Sequence, residues 1–246
     1  MSNQIINRYE NVECKICNSK TYIYGVCDFN KNCEGTKIGN KMPMIGHAVY
    51  YHKCNSCGFI FSIDFDNWTK DDFIRNIYND EYEIVDPEYK EIRPKNLVQW
   101  MLPLLNGNTS ITMLDYGAGT AVFGKTLNQL GYQCESWDPM WGTPPSFSKD
   151  KKFDVITAFE VIEHTPTPIE TIQEMISFLE PGSGQIVMHS LANDIITNEG
   201  IGYWYIAPRN GHVCMFSHRS IDVLFDKFGM RVDHLAANTH VASWKN

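Results

Sequence analysis

From residue 108 onward, short apolar runs alternate with stretches whose apolar positions recur every three to four residues. The runs at 111–115, 133–137, 153–159, 185–190, 230–235 and 239–244 read as strands. Residues 121–130, 168–179 and 219–228 carry the helical spacing, and Phe228-Gly229-Met230 marks a helix stop before the next strand. Such alternation predicts a parallel sheet covered by helices on both faces. Residues 140–152, punctuated by Gly142 and Pro144-Pro145, are too few for a full strand–helix unit, so a trimmed strand is expected there.

The first 107 residues have a different pattern. Segments 48–53 and 59–63 read as strands of a small module spanning 1–64. Segment 65–107 reads as a helical linker or lid. In it, Asp66-Asn67-Trp68-Thr69-Lys70-Asp71-Asp72 offers capping groups ahead of the helically spaced Phe73, Ile74, Ile77 and Tyr78. A polar, aromatic stretch with Tyr82, Asp86, Tyr89 and Arg93 follows, and then a helix at 97–102 leads into the α/β domain, 108–246.

The chemistry is concentrated where strands end. Met113-Leu114-Asp115-Tyr116-Gly117-Ala118-Gly119 is a strand running into a glycine loop, where a Cβ would block sharp turning and close ligand approach. Open α/β sheets make ligand crevices at such carboxyl ends. A dinucleotide site would want a third glycine where Val122 stands. Asp115 before the loop would repel a pyrophosphate but suits an ammonium or sulfonium, as in S-adenosylmethionine. Asp138, ending the next strand in Ser136-Trp137-Asp138-Pro139, falls at the interval where an acid accepts ribose hydroxyls. A later strand, Phe153-Asp154-Val155-Ile156, ends in Phe159-Glu160-Val161-Ile162-Glu163-His164-Thr165-Pro166, an acidic turn bearing a histidine.

On these motifs the chain, from about Asn108 to its end, resembles class I S-adenosylmethionine-dependent methyltransferases. Asp115-Tyr116-Gly117-Ala118-Gly119-Thr120-Ala121 is similar to the family's first motif, with Ala121 where a glycine is common. The turn at 160–166 is similar to its motif after the fourth strand. The resemblance implies an α/β, Rossmann-like, seven-stranded and mostly parallel sheet with helices on both faces. It implies a donor site at Asp115, Tyr116, Gly117, Ala118, Gly119, Asp138, Pro139 and Phe159, and an acceptor beside the turn at 160–164.

Six of the eight cysteines fall before residue 58. Cys14-x-x-Cys17 and Cys54-x-x-Cys57 form two knuckles, each able to present two thiolates, and together they read as a tetrathiolate structural Zn2+ ribbon. Iron in a rubredoxin-like site uses the same ligands, and four unrelated buried cysteines are the bland alternative. Cys27, Cys33, His47 and His52, between the knuckles, read as free thiols and ordinary histidines. So short a module has little core, and metal would supply its folding energy.

Composition narrows the partners. A hydrophobic fraction of 43% in 246 residues supports a packed core. A net charge of −8 argues against a nucleic-acid binder, and no apolar run reaches membrane-spanning length. Residues 1–8 lack the apolar core of a leader, so a cytoplasmic location, where cysteines stay reduced, is expected.

Methyl transfer is an in-line displacement, and a neutral oxygen or carbon acceptor requires a base. His164 is the first candidate and His212 the second, with Glu160 orienting the donor or binding the acceptor. His164 could instead cap a helix or support a neighbour. Trp204-Tyr205-Ile206-Ala207-Pro208-Arg209-Asn210-Gly211-His212 reads as an aromatic wall followed by a turn that thrusts Arg209, Asn210 and His212 outward. Arg209 would fork onto a phosphate or carboxylate, or else pair with a local acid on the surface. Tyr82 and Arg93 complete the acceptor candidates. The loop resembles one in bacterial methyltransferases that carry the same cysteine-rich module and often act in sugar or surface-polysaccharide pathways. It implies a small-molecule acceptor, a nucleotide-activated sugar or a phosphoryl-containing precursor. RNA or protein methylation guided by the ribbon, and a non-catalytic zinc-dependent assembly module, are the competing readings.

Overall fold

The computed structural model describes residues 8–33, 42–142, 144–192 and 199–245; apart from Arg8, the stretch read for a leader lies outside them. Strands β1 (Thr21–Asp28), β2 (Ala48–Cys54) and β3 (Ile60–Ser62) pair antiparallel in sequence order. Three helices follow: α1 (Lys70–Asn76), α2 (Tyr82–Val85) and α3 (Ile92–Leu105). Of the capping groups offered before α1, Thr69 is the one used: its side chain and that of Asp72 satisfy each other's backbone amides in a capping box.

The α/β part runs β4 (Thr112–Tyr116), α4 (Val122–Gln129), β5 (Gln133–Trp137), β6 (Val155–Phe159), α5 (Pro168–Phe178), β7 (Gln185–His189), β8 (Cys214–Met215), α6 (His218–Asp226), β9 (Met230–Ala236) and β10 (Thr239–Trp244). Its sheet has the order β5-β4-β6-β7-β10-β9. The first four strands are parallel, and β10 runs antiparallel to both β7 and β9. Among the described residues this sheet has six strands, against the seven implied by the resemblance. The difference lies between β5 and β6, where the described residues form a 3-10 turn at Pro139–Trp141 in place of the trimmed strand expected there. Gly142 (φ +70°) ends that turn, and Pro144-Pro145 cannot donate to a ladder.

The amino-terminal strands share a sheet with the far end of the chain. β8 pairs with β3 through Ile60↔Met215 and Phe61↔Cys214. The knuckle cysteines Cys14, Cys54 and Cys57, with Phe59 and Phe61, pack in one apolar core with Phe216, Ile221 and Leu224 and with the sheet residues Leu114, Ile156 and Met188. The cysteine-rich segment is therefore fused to the α/β core by side-chain burial. Among the described residues no helix is long and apolar enough to cross a membrane.

Candidate active site

A cleft of about 790 Å³ opens at the carboxyl ends of β4, β5 and β6. Its floor is the loop after β4. Gly117 (φ +74°) donates its amide to the Trp137 carbonyl at 2.9 Å, and a Cβ there would lie 2.5 Å from Val161. The close-packing glycine sought at position 122 stands two residues later. A Cβ on Gly124 of α4 would fall 2.2 Å from the Ser136 hydroxyl, so only glycine lets this helix approach β5.

Two carboxylates flank the loop. Asp138 accepts from the Gly119 amide at 2.9 Å and the Met140 amide at 2.9 Å, which fixes both oxygens at the cleft edge. Asp115 is buried on β4, with the Ser136 hydroxyl at 3.5 Å from its Oδ2. Burial, and then the charge of Asp138, push its carboxyl up to about 7. A carboxylate so raised beside a cleft gains from any cationic ligand. The open space above Gly119, where a Cβ meets nothing within 4 Å, leaves room for one. The donor set therefore fits a sulfonium- or ammonium-bearing nucleoside.

The turn after β6 forms the opposite wall. Glu160 sits at φ +54°, a left-handed conformation costly for a side-chain-bearing residue and common at functional sites. Its Oε1 lies 2.8 Å from His189 Nδ1, while the amide of Asn238 lies 2.7 Å from His189 Nε2. With Asn238 donating, His189 carries its proton on Nδ1 and donates it to Glu160. Burial raises the Glu160 carboxyl, but the His189 bond and the charge of Arg93 outweigh it and hold it below its ordinary value.

His164 and His212 meet edge to face with ring centres 4.9 Å apart. His212 Nδ1 lies 2.7 Å from the Tyr205 carbonyl, so it is the protonated nitrogen and Nε2 keeps the lone pair. The Tyr78 hydroxyl lies 3.2 Å from His164 Nδ1. Burial lowers both imidazoles to about 4, and at neutral pH both are uncharged. Beneath them Glu163, fully buried, accepts from the Tyr205 hydroxyl at 2.5 Å and the Ser190 hydroxyl at 2.8 Å. Burial and Glu160 raise its carboxyl to about 6. Ligand atoms of Glu163, His164 and His212 lie within 4.8 Å of one another. Both Glu163 oxygens already accept from hydroxyls, and Glu163 lies behind the stretch of cleft wall that the two imidazoles form.

All eight donor-site candidates, from Asp115 to Phe159, line this cleft, as do Glu160, His164, His212, Tyr82, Arg93 and Asn210. Arg209 does not. The turn at Pro208–Asn210 forms as expected but folds inward, so that Pro208, Arg209 and Asn210 are all buried. The Arg209 guanidinium donates to the Ile77 carbonyl at 2.8 Å and to Asn79 Oδ1 at 3.0 Å, and pairs with Glu81 at 3.6 Å. It ties the loop to α1 and is spent there, which corrects its assignment as an acceptor fork. Arg93 reaches the cleft but is held bidentate by Asp86 at 2.7 and 2.9 Å. Tyr82 donates to the Asn210 carbonyl at 3.1 Å, and Asn210 Oδ1 accepts from the Cys33 amide at 2.9 Å. Tyr78, Glu163 and His189 join the site beyond the residues the sequence points to, with Tyr205 from the predicted aromatic wall. Glu163 lies inside the acidic turn motif after β6, and His189 ends a strand beside it.

Away from the cleft, the four knuckle thiols converge. Cys14–Cys57, Cys17–Cys54 and Cys17–Cys57 sulfurs lie 3.6, 3.4 and 3.6 Å apart. A tetrahedron of ~2.3 Å zinc–thiolate bonds separates its sulfurs by about 3.8 Å, so the four need to move apart only slightly. Amides of Ile16, Ser56 and Cys57 point at the Cys14 and Cys54 sulfurs, as they do for thiolate ligands.

A family model described as a methyltransferase domain matches residues 89–235. No curated protein matches the chain. Among solved structures, magnesium protoporphyrin IX methyltransferase from Synechocystis with bound S-adenosylhomocysteine is similar at 15% identity, over 74% of this chain and 97% of that one, with a TM-score of 0.45. The 1,6-didemethyltoxoflavin-N1-methyltransferase of Burkholderia thailandensis is similar at 11% identity, over 82% and 95% of the two chains, with a TM-score of 0.49.

Proposed function

The chain belongs to the methyltransferase-domain family and is an S-adenosylmethionine-dependent methyltransferase; on that premise we propose that it methylates a hydroxyl of a small polar acceptor. The observation that carries this reading is one cleft shared by the acid–glycine–acid loop of Asp115, Gly117, Gly119 and Asp138 and by the paired imidazoles His164 and His212. S-adenosylmethionine, when bound, supplies an activated methyl group on a sulfonium. Asp138 holds ribose hydroxyls with its fixed oxygens. Asp115 provides negative charge under the loop, and Phe159 offers an apolar face. Of the two imidazoles, His212 has its tautomer fixed and its Nε2 lone pair free to take the acceptor proton. Tyr78 positions His164 beside it.

The acceptor we favour is a sugar unit of a nucleotide-activated or phosphoryl-containing surface-polysaccharide precursor, met in the cytoplasm. Tyr78, Tyr82 and Trp204 give it aromatic walls, and Asn210 gives it a polar edge. With Arg209 turned away and Arg93 locked on Asp86, a neutral hydroxyl fits beside the methyl group better than a phosphoryl oxygen does. Asp86, Glu88, Glu160 and Glu174 along the cleft weigh against RNA. We assign residues 1–64 as a ribbon with Zn2+ on Cys14, Cys17, Cys54 and Cys57. We assign 65–107 as the lid over the acceptor and 108–246 as the donor-binding domain. Labelled-methyl transfer from S-adenosylmethionine into nucleotide-linked sugars tests the acceptor. Label in a sugar hydroxyl supports it; label only in RNA or protein overturns it. Calorimetric titration tests the donor site: Asp138→Ala should weaken affinity by about one to two powers of ten, and unchanged affinity would reject it.

A further inference from the structure

On the far side of β7 from the cleft, three histidines meet where α6, β9 and β10 converge. His218 opens α6, while His234 and His240 face each other across the β9–β10 hairpin. One nitrogen from each of the three lies within 4.8 Å of the others, and ring centres are 4.3 to 5.6 Å apart. His240 is fully buried; His218 and His234 are half-buried, so the group can be reached from solvent.

Proton placement makes this cluster more than packing. His240 Nε2 lies 3.0 Å from the Ser190 carbonyl, which can only accept, so Nε2 carries the proton and Nδ1 the lone pair. His234 Nε2 lies 3.1 Å from Asp222 Oδ1, a carboxylate that also only accepts, so in a neutral His234 the lone pair is again on Nδ1. Yet the two Nδ1 atoms are 2.8 Å apart. Two lone pairs at that distance repel, unless a cation lies between them or His234 takes a second proton. A carbonyl and a carboxylate each orienting the far N–H of an imidazole is the usual support around metal-bound histidines.

We propose that His218, His234 and His240 form a second metal site, separate from the four-cysteine cluster and from the cleft, for a divalent first-row transition ion of the zinc type. Asp222 and the Ser190 carbonyl hold two of the imidazoles in register, and three protein nitrogens leave a fourth position for water. Two imidazole nitrogens on one zinc sit about 3.3 Å apart, so the facing rings need open by only about 0.5 Å. The ion would staple α6 to the carboxyl-terminal hairpin.

Zinc titration of the untagged full chain tests this, with metal content measured after dialysis. Cys14→Ser/Cys54→Ser protein should retain one tightly bound zinc, and His218→Gln/His234→Gln protein should lose one relative to the parent. In imidazole nitrogen NMR, zinc should shift Nδ1 of His234 and His240 while both keep their Nε2 protons. Asp222 is exposed, and Asp222→Asn should fold normally and bind the ion about 10–100-fold more weakly. Asp222→Asn decides the matter if the double histidine variant does not fold: unchanged affinity overturns the site. So does a doubly protonated His234 at neutral pH with no zinc-induced shift, which would make the cluster a proton-held pair.

Discussion

Gly211 closes directly on His164: a methyl group at Gly211 would stand 2.8 Å from the imidazole Nδ1 and 3.0 Å from the Tyr78 hydroxyl. The residue also sits at φ +91°, so an alanine there is strained as well as crowded. Gly211→Ala should displace the ring by a fraction of an ångström or more and lower kcat on the order of 10²-fold, while affinity for S-adenosylmethionine stays within about twofold. Steady-state kinetics beside donor calorimetry separate the two. A kcat within threefold of the parent would dissociate this contact from catalysis.

The two cleft imidazoles should set an unusual pH profile. Both are lowered to about 4 by burial, so neither changes charge near 6.5. Activity at saturating donor should be insensitive to imidazole titration between pH 6 and 8 and fall only toward pH 4. Stability follows the same sign: a depressed folded value gives a contribution present above about 6.5 and lost as pH falls through about 4. Either His164→Gln or His212→Gln should cost about 10²–10⁴ in turnover, with the larger effect expected at His212. If both variants keep near-parental rates, the acceptor oxygen is already ionised and needs no base.

Asp115 should trade stability for ligand affinity. Its carboxyl is raised to about 7, so the stability it allows is fully present below the ordinary carboxyl range and is lost as pH rises through about 7. Asp115→Asn should raise the Tm of the ligand-free protein, slightly at pH 5 and clearly at pH 8, while weakening donor binding. Scanning calorimetry at the two pH values checks the sign; an equal Tm change at both would remove the electrostatic explanation.

Ala121 occupies a left-handed conformation, φ +57°, at the cap of α4, where the family resemblance leads one to expect glycine. Ala121→Gly should stabilise the fold by about 0.5–1 kcal/mol, the left-handed penalty for alanine less the extra freedom glycine has when unfolded. Urea unfolding measures it. A destabilised variant would mean that the methyl group packs usefully.

Chelation should lower the unfolding temperature of the whole chain in one transition. Three of the knuckle cysteines share a core with Phe216, Ile221 and Leu224, so removing the zinc proposed there should loosen packing reaching into α6. Two separate calorimetric transitions would show instead that the cysteine-rich segment melts by itself.

The site was legible where its signals are local. A strand end, a glycine loop and an acid are neighbours in sequence, so the cleft floor from Asp115 to Asp138 could be read from spacing. Whether a turn points in or out is decided by distant partners. Arg209 looked exposed because nothing adjacent to it announces the Ile77 carbonyl and Asn79, some 130 positions earlier. Gly124 carries no local signal because its constraint lies across the helix–strand contact with Ser136. Strand β1 has no strand signature because its tyrosines, glycine and cysteine give no clean alternation, and Tyr22, Ile23 and Val26 remain exposed.

The pairing of β3 with β8 has a consequence for biosynthesis. The fourth strand of the amino-terminal sheet leaves the ribosome about 150 residues after the third. Until then β3 offers an open edge and Phe59 lacks Phe216, the ring it meets at 4.9 Å in the finished core. The first part of the chain to be made is thus among the last to be sealed, and its unpaired edge stays open through most of translation.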